Sequence, residues 1–319
     1  MTRVLVTGAG GFIGHHLVSF LRRRGDWVRG ADVARPQYAP TDADEFLEVD
    51  LRDAANARAA AGGVDHVYAL AADMGGMGYI SSHHARILHD NALINLNTLE
   101  AARAEGVARY LYTSSACVYP EYRQTDAAVT PLREEDAYPA QPQDAYGWEK
   151  LTAERLCAYY WDDYGIETRV ARFHNIFGPL GTWRGGREKA PAAICRKVAA
   201  AKLTGAREIE IWGDGEQTRS FCYIDDCLEG MTRLMASAHR EPLNIGQDRL
   251  VSINQLADIV CAIAGVALEK RHVLGPQGVR GRNSDNSRLR RVLGWEPQIS
   301  LEDGLAAQWE WVSGRVATR

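Results

Sequence analysis

Tyr146 and Lys150 head a stretch with helical spacing that runs on to Tyr164. Four residues apart, their side chains share one helix face. A neighbouring ammonium favours the phenolate, so Tyr146 is suited to take a proton from a substrate hydroxyl. Thr113-Ser114-Ser115 ends a run that reads as a strand, and Ser115 can hydrogen-bond the same substrate oxygen. Upstream, Thr7-Gly8-Ala9-Gly10-Gly11-Phe12-Ile13-Gly14 joins an apolar strand to a helix, with Gly8, Gly11 and Gly14 at regular spacing. Glycines there allow a tight turn, close approach to a pyrophosphate and a helix N-terminus aimed at negative charge. Asp32 ends the next strand, 18 residues beyond Gly14, where a carboxylate accepts from ribose hydroxyls and repels a 2′-phosphate. NAD is therefore expected over NADP, with Arg35 the one neighbour that argues the other way. A Y-x-x-x-K pair by itself is commonplace; behind this glycine loop it reads as a proton-transfer site beside a dinucleotide.

Between Arg184 and Lys202 stand Arg184, Arg187, Lys189, Arg196, Lys197 and Lys202 against Glu188, a local charge of +5 in a chain whose total is −4. Such a stretch suits an anionic small substrate, with arginines gripping a diphosphate through paired hydrogen bonds. Arg219, Arg280 and Arg282 can join it from later segments. The overall balance, 41 acidic against 37 basic residues, leaves no footprint for nucleic acid or an anionic membrane. Six cysteines lie scattered without C-x-x-C pairs, which argues against structural zinc or a disulfide scaffold and for the cytoplasm. His83, His84 and His89 do not make a metal site, because adjacent histidines cannot share a helix face. No apolar run approaches the roughly 18 residues that span a bilayer, and the N-terminus lacks the pattern of a signal peptide.

The elements that must position these groups alternate through the first half. Val4-Leu5-Val6, Val28 to Ala31, Phe46 to Val49, His66 to Leu70 and Tyr110 to Thr113 read as strands. Phe12 to Arg24 and Asn91 to Glu105 read as helices, the second with Leu96, Leu99 and Ala102 on one face and Gly106 closing it. This pattern predicts an α/β fold, a doubly wound parallel sheet of Rossmann type. After about residue 172 the alternation fails, and periodicity returns only in pieces such as Ala192 to Ala201 and Ile253 to Ala264. The expected organisation is a cofactor domain over 1–172 and a smaller α/β substrate domain over 173–319, with room for segments to exchange back. Trp148, Trp183, Trp295 and Trp309 read as core, and His174 as structural.

At this point the chain resembles the extended short-chain dehydrogenase/reductase family of nucleotide-sugar enzymes over its full length. The segments that carry the resemblance are Ala71-Ala72-Asp73-Met74-Gly75-Gly76-Met77-Gly78, Ser114-Ser115-Ala116-Cys117-Val118-Tyr119-Pro120-Glu121 and Gln143-Asp144-Ala145-Tyr146-Gly147. Further on come Arg172-Phe173-His174-Asn175-Ile176-Phe177-Gly178-Pro179, Gly185-Gly186-Arg187-Glu188-Lys189-Ala190-Pro191-Ala192-Ala193 and the run from Gly278 to Asn286. The glycine loop and Y-x-x-x-K mark only the superfamily, whereas the MGGMG, SSAC and GGREKAPAA segments are far more specific and resemble those of the branch that inverts GDP-mannose at C3 and C5. The resemblance implies catalytic NAD held by Gly8, Gly11, Phe12, Ile13, Gly14, Asp32, Asp50, Leu51, Tyr146 and Lys150. It assigns Cys117 and Lys189 as the acid–base pair beside Tyr146, Lys150 and Ser115. Gly75, Met77, Ser115, Asn175, Arg187, Lys189, Lys197, Arg219 and Arg282 are expected to contact the substrate, with GDP-L-galactose and GDP-L-gulose as products. Relatives form homodimers through the stretches matching 91–105 and 147–164. Two other reactions of the class, 4-epimerisation and 4,6-dehydration, stay open, as does a non-catalytic NAD-binding role; the last would be expected to lose some of Tyr146, Lys150, Cys117 and Lys189, and all four are present.

Overall fold

Val4, Leu5 and Val6 are all buried, as a strand covered on both faces requires. In the computed structural model, which describes residues 1–318 and leaves the Met77 side chain outside the described part, they form β1 (Arg3–Thr7). The first half continues through α1 (Phe12–Arg23), β2 (Trp27–Asp32), β3 (Glu45–Glu48), α2 (Ala54–Ala61), β4 (His66–Ala69), α3 (Met77–Ile80), α4 (His84–Ala104), β5 (Arg109–Ser115), α5 (Ala145–Tyr164) and β6 (Glu167–Phe173). The second half adds β7 (Ile176–Phe177), α6 (Ala190–Thr204), β8 (Glu208–Trp212), β9 (Thr218–Ser220), β10 (Cys222–Tyr223) and α7 (Ile224–Ala236). It ends with β11 (Leu243–Ile245), β12 (Leu250–Ser252), α8 (Ile253–Ala264), β13 (Glu269–Val273), β14 (Gly281–Arg282), α9 (Ser287–Leu293) and α10 (Leu301–Ala317).

Seven strands make one sheet in the order β3-β2-β1-β4-β5-β6-β11, and every pairing in it is parallel. The order reverses between β1 and β4, the switch point where an open α/β sheet leaves a crevice beyond its carboxyl ends. Leu17, Val18 and Leu21 of α1 pack with Leu228, Met231 and Leu234 of α7 on one face. Ala57, Leu99, Ala102 and Ala153 from α2, α4 and α5 cover the other. Helices α6, α8 and α10 enclose a separate apolar cluster with Ile209 and Ile211 of β8. The edge strand β11 and helix α7 of the main sheet thus both come from beyond residue 173.

Three sequence expectations need correction. Helix α4 starts at His84, about two turns before Asn91; the start carries no sequence signal because His83 gives it no side-chain cap. Its buried face holds Asn91, Asn95 and Thr98 beside Leu99, while Leu96 points out. The cause is polar: Asn91 and Asn95 donate to the buried carboxylate of Glu149. Trp148, on the outer side of α5, is exposed and not core.

Candidate active site

A cavity of about 850 Å³ opens along the carboxyl ends of the sheet strands and runs into the second half. The glycine loop forms one end. Gly8 has φ +69°, and a Cβ on Gly14 would collide with the Gly8 carbonyl, so neither position admits a side chain without moving the turn. Gly11 starts α1 without a side-chain cap, leaving the first-turn amides of Phe12, Ile13 and Gly14 free for an anion at the cavity wall. Asp32, the last residue of β2, accepts from the Gly10 amide at 2.9 Å and lines the same wall. Burial raises its pKa, opposed by the backbone amides of Gly10 and Ala34. Asp50 and Leu51 complete this end, with the Asp50 carboxylate held below its ordinary range by the Arg52 guanidinium at 2.6 Å. Arg35 pairs with Glu48 at 3.7 Å and lies over the Phe46 ring, and Arg52 on the same wall is held by Asp50 and Asp90. A cradle that a Cβ would fill, an uncapped helix start and a carboxylate at the strand end together fit NAD.

The proton-transfer groups lie at the middle. Strand β5 delivers Ser115, whose Oγ accepts the Cys117 amide at 3.2 Å and caps the short turn Ala116–Val118. Asp144 caps α5 through the Gly147 amide at 2.9 Å, which puts Tyr146 in the first turn and Lys150 one turn below. Both are buried, and of the groups around the Tyr146 phenol only Ser115 draws its pKa down. The expected easy phenolate is not present in the chain alone. Burial pushes the Tyr146 phenol well up, reinforced by Cys117, Glu149 and Asp144. The Lys150 ammonium, itself lowered by burial, donates to the Thr113 carbonyl at 3.0 Å and lies over the Tyr112 and Tyr146 rings.

Cys117 and Lys189, 72 positions apart in sequence, line the same cavity. The Arg282 guanidinium donates to Cys117 Sγ at 3.2 Å and to Gln124 Oε1 at 2.6 Å. Lys189 precedes α6 and lines the cavity, exposed at its surface yet crowded by surrounding protein. That crowding lowers its pKa, and only the nearness of Cys117 and Cys227 opposes the shift.

The basic stretch divides. Arg187, Lys189 and Lys197 line the cavity, joined by Arg219 and Arg282. Lys197 rests on the Glu210 carbonyl at 2.7 Å, and Arg219 on the Thr218 and Val279 carbonyls at 2.7 and 2.8 Å. Arg196 also lines it but pairs with Glu188 at 3.0 Å. Three expected cations are elsewhere: Arg184 stacks on Trp183, Lys202 donates to the Ala264 carbonyl, and Arg280 pairs with Asp214 at 2.8 Å. Each satisfies a local partner outside the cavity. Gly75 and Asn175 line it; Asn175 adopts φ +45° and donates to the Ser220 carbonyl at 2.8 Å. Met77 starts α3, and its side chain lies outside the described residues. His174 is fully buried on Asn244, with its pKa pushed down to about 3 by burial. Among the described residues no group of metal-ligating side chains gathers.

Sequence reasoning missed Asp73, Gln143, Asp144 and Trp212 on the cavity wall, together with the Arg52–Asp90 ion pair at 3.0 Å. Asp73, Gln143 and Asp144 stand inside the segments that carry the family likeness, which was the available signal. Arg52 and Asp90 carry none, since neither belongs to a motif.

Residues 4–246 match the NAD dependent epimerase/dehydratase family. The chain is 51% identical to GDP-mannose 3,5-epimerase 1 of Oryza sativa subsp. japonica, over 98% of its own length and 82% of the relative's. It is 49% identical to GDP-mannose 3,5-epimerase of Arabidopsis thaliana, over 98% and 83%. Among solved structures, UDP-glucose 4-epimerase of Thermotoga maritima with UDP-glucose superposes with a TM-score of 0.88 at 27% identity, covering 99% of this chain and 100% of that one. With its sheet order, glycine cradle and Tyr-Lys pair, the chain belongs to the NAD dependent epimerase/dehydratase family, and NAD is its cofactor.

Proposed function

We propose that the chain epimerises GDP-mannose at C3 and C5, giving GDP-L-galactose, with GDP-L-gulose as the product of inversion at C5 alone. The observation that carries this is the meeting of Cys117 and Lys189 in one cavity with Tyr146. When bound, NAD supplies reversible hydride acceptance at the sugar's C4. The amides of Phe12, Ile13 and Gly14 would hold its pyrophosphate, and Asp32 a ribose.

Tyr146 takes the proton of the C4 hydroxyl and later returns it, with Ser115 hydrogen-bonded to the same oxygen. A ketone at C4 acidifies the hydrogens on C3 and C5, because each carbanion is stabilised as an enolate. Inversion then needs a base on one face of the ring and an acid on the other, the work we assign to Cys117 and Lys189. A lysine whose pKa is lowered gives up its proton more readily than a free one. Lys197, Arg187, Arg219 and Arg282 neutralise the diphosphate, and Asn175 and Gly75 approach the sugar. A 4,6-dehydratase would want an acid beside Ser115, where Ala116 and Cys117 stand.

We also propose a cofactor domain over 1–172 and a mainly sugar-nucleotide domain over 173–319. For assembly we propose a homodimer through α4 and α5, whose outer surfaces expose Leu88, Leu96, Trp148, Tyr159 and Tyr164. No helix of the described residues is long and apolar enough to cross a membrane; we take the cytoplasm as the compartment. Incubation with GDP-mannose in D₂O tests the reaction: deuterium at C3 and C5 supports it, and no exchange at either carbon rejects it.

A further inference from the structure

Lys189 sits at the end of a segment rich in glycine, with Gly185 at φ +92° and Gly186 at φ +87°. Such backbone has little stiffness of its own, so what fixes Lys189 must lie outside it. On one side Glu188 is pinned to α6 by Arg196 at 3.0 Å. On the other side the partner is Asp73, from the loop after β4.

The Asp73 carboxylate accepts from Tyr79 Oη at 2.7 Å and faces Arg86 Nε at 3.4 Å and Arg187 at 3.7 Å. The Arg187 guanidinium also lies over the Tyr79 ring, 3.8 Å from its centroid. Main chains meet here too: the Gly76 amide donates to the Arg187 carbonyl at 3.1 Å, and a Cβ on Gly76 would stand 2.9 Å from the Glu188 carbonyl. Asp73 is itself anchored inward. Its amide donates to Asn91 Oδ1 at 2.6 Å, and its carbonyl accepts from Asn91 Nδ2 at 3.1 Å. That same Nδ2 stands 3.3 Å from Glu149, a buried carboxylate that also accepts from Asn95 and, at 3.2 Å, from Tyr112. Glu149 immediately precedes Lys150 on α5. A continuous path of contacts therefore runs from the helix bearing Tyr146 and Lys150, through Asn91 and Asp73, to the segment bearing Lys189.

We propose that Asp73 is a positioning residue for Lys189: together with Tyr79 it clamps Arg187 and so seats the 184–189 segment against the half of the molecule that carries Tyr146. The arrangement explains why a short buried polar ladder replaces apolar packing under α4. The arginine that follows the two glycines adds a side-chain anchor to the main-chain one at Gly76. The role of Lys189 in carbon inversion rests on the proposed function; the clamp itself does not.

The test uses the holoenzyme carrying Asp73→Asn, Asp73→Glu or Tyr79→Phe. Amide hydrogen exchange of residues 184–189 should speed up about tenfold or more in Asp73→Asn, less in Tyr79→Phe and least in Asp73→Glu, with α5 unchanged. With GDP-mannose in D₂O, exchange at C3 and C5 should fall about tenfold or more in Asp73→Asn, while cofactor reduction read at 340 nm stays within about twofold. Unchanged amide exchange at 184–189 overturns the clamp, and so does an equal loss of cofactor reduction and carbon exchange. If the wild-type enzyme exchanges neither C3 nor C5, the proposed reaction fails, and the amide measurement decides the clamp by itself. Should Asp73→Asn fold poorly, Tyr79→Phe removes a single hydroxyl from the rim and answers the same question.

Discussion

At the cofactor end of the cavity the chain presents mainly backbone: glycine turns, the first amides of α1 and the carboxyl ends of β1 and β2. At the other end it presents long side chains: Lys197 and Arg219 rest on carbonyls of the second half, and Arg282 on the side-chain amide oxygen of Gln124. The first kind of site is rigid and tolerates nothing larger than its own atoms. The second can be adjusted one side chain at a time, because each cation keeps a resting partner when no anion is present. A family that holds one cofactor and varies its substrates has use for both kinds.

Four substitutions separate the two ends, in order of expected effect. Cys117→Ala should cut carbon exchange at C3 and C5 by about a thousandfold while NAD content stays that of the wild type. An enzyme with unchanged exchange would remove Cys117 from the chemistry. Gly14→Val drives a side chain into the Gly8 carbonyl; the purified protein should lose most of its NAD and about 1–3 kcal/mol of stability. Retained cofactor at wild-type Tm would show that the loop yields more than its geometry implies. Asp32→Ala removes charge-assisted hydrogen bonds to a ribose, so NAD should bind about a hundredfold more weakly and NADP relatively better. Titration of both cofactors decides this, and an unaltered preference would discredit the contact. Lys197→Met should raise KM for GDP-mannose by about tenfold with little change in kcat, the signature of lost uniform binding.

The same contrast explains what was legible in the sequence. Gly8, Gly14, Asp32, Tyr146 and Lys150 act through local geometry, a turn, a strand end or one helix face, and local geometry is written in spacing. The parallel sheet was legible for the same reason, since its strands and helices alternate in the chain. Arg280 and Arg282, two residues apart on neighbouring backbone, part company because one finds Asp214 and the other finds Gln124 and Cys117. Nothing in their spacing distinguishes them. Leu96 and Asn95 trade places for a related reason: the buried Glu149 draws amides inward, and a hydrophobic pattern cannot register a carboxylate from another helix. Asp73 was in plain view inside a family segment, yet its partners Tyr79, Arg187 and Asn91 come together only on folding.

The central claim is that one cavity oxidises C4 and inverts its two neighbours. Purified enzyme with GDP-mannose in D₂O, followed by NMR of the sugar protons, tests it most directly. Deuterium at both C3 and C5 together with new L-sugar signals is the predicted result. Turnover with C4 inverted and no deuterium at C3 or C5 would contradict it, leaving Cys117 and Lys189 without work.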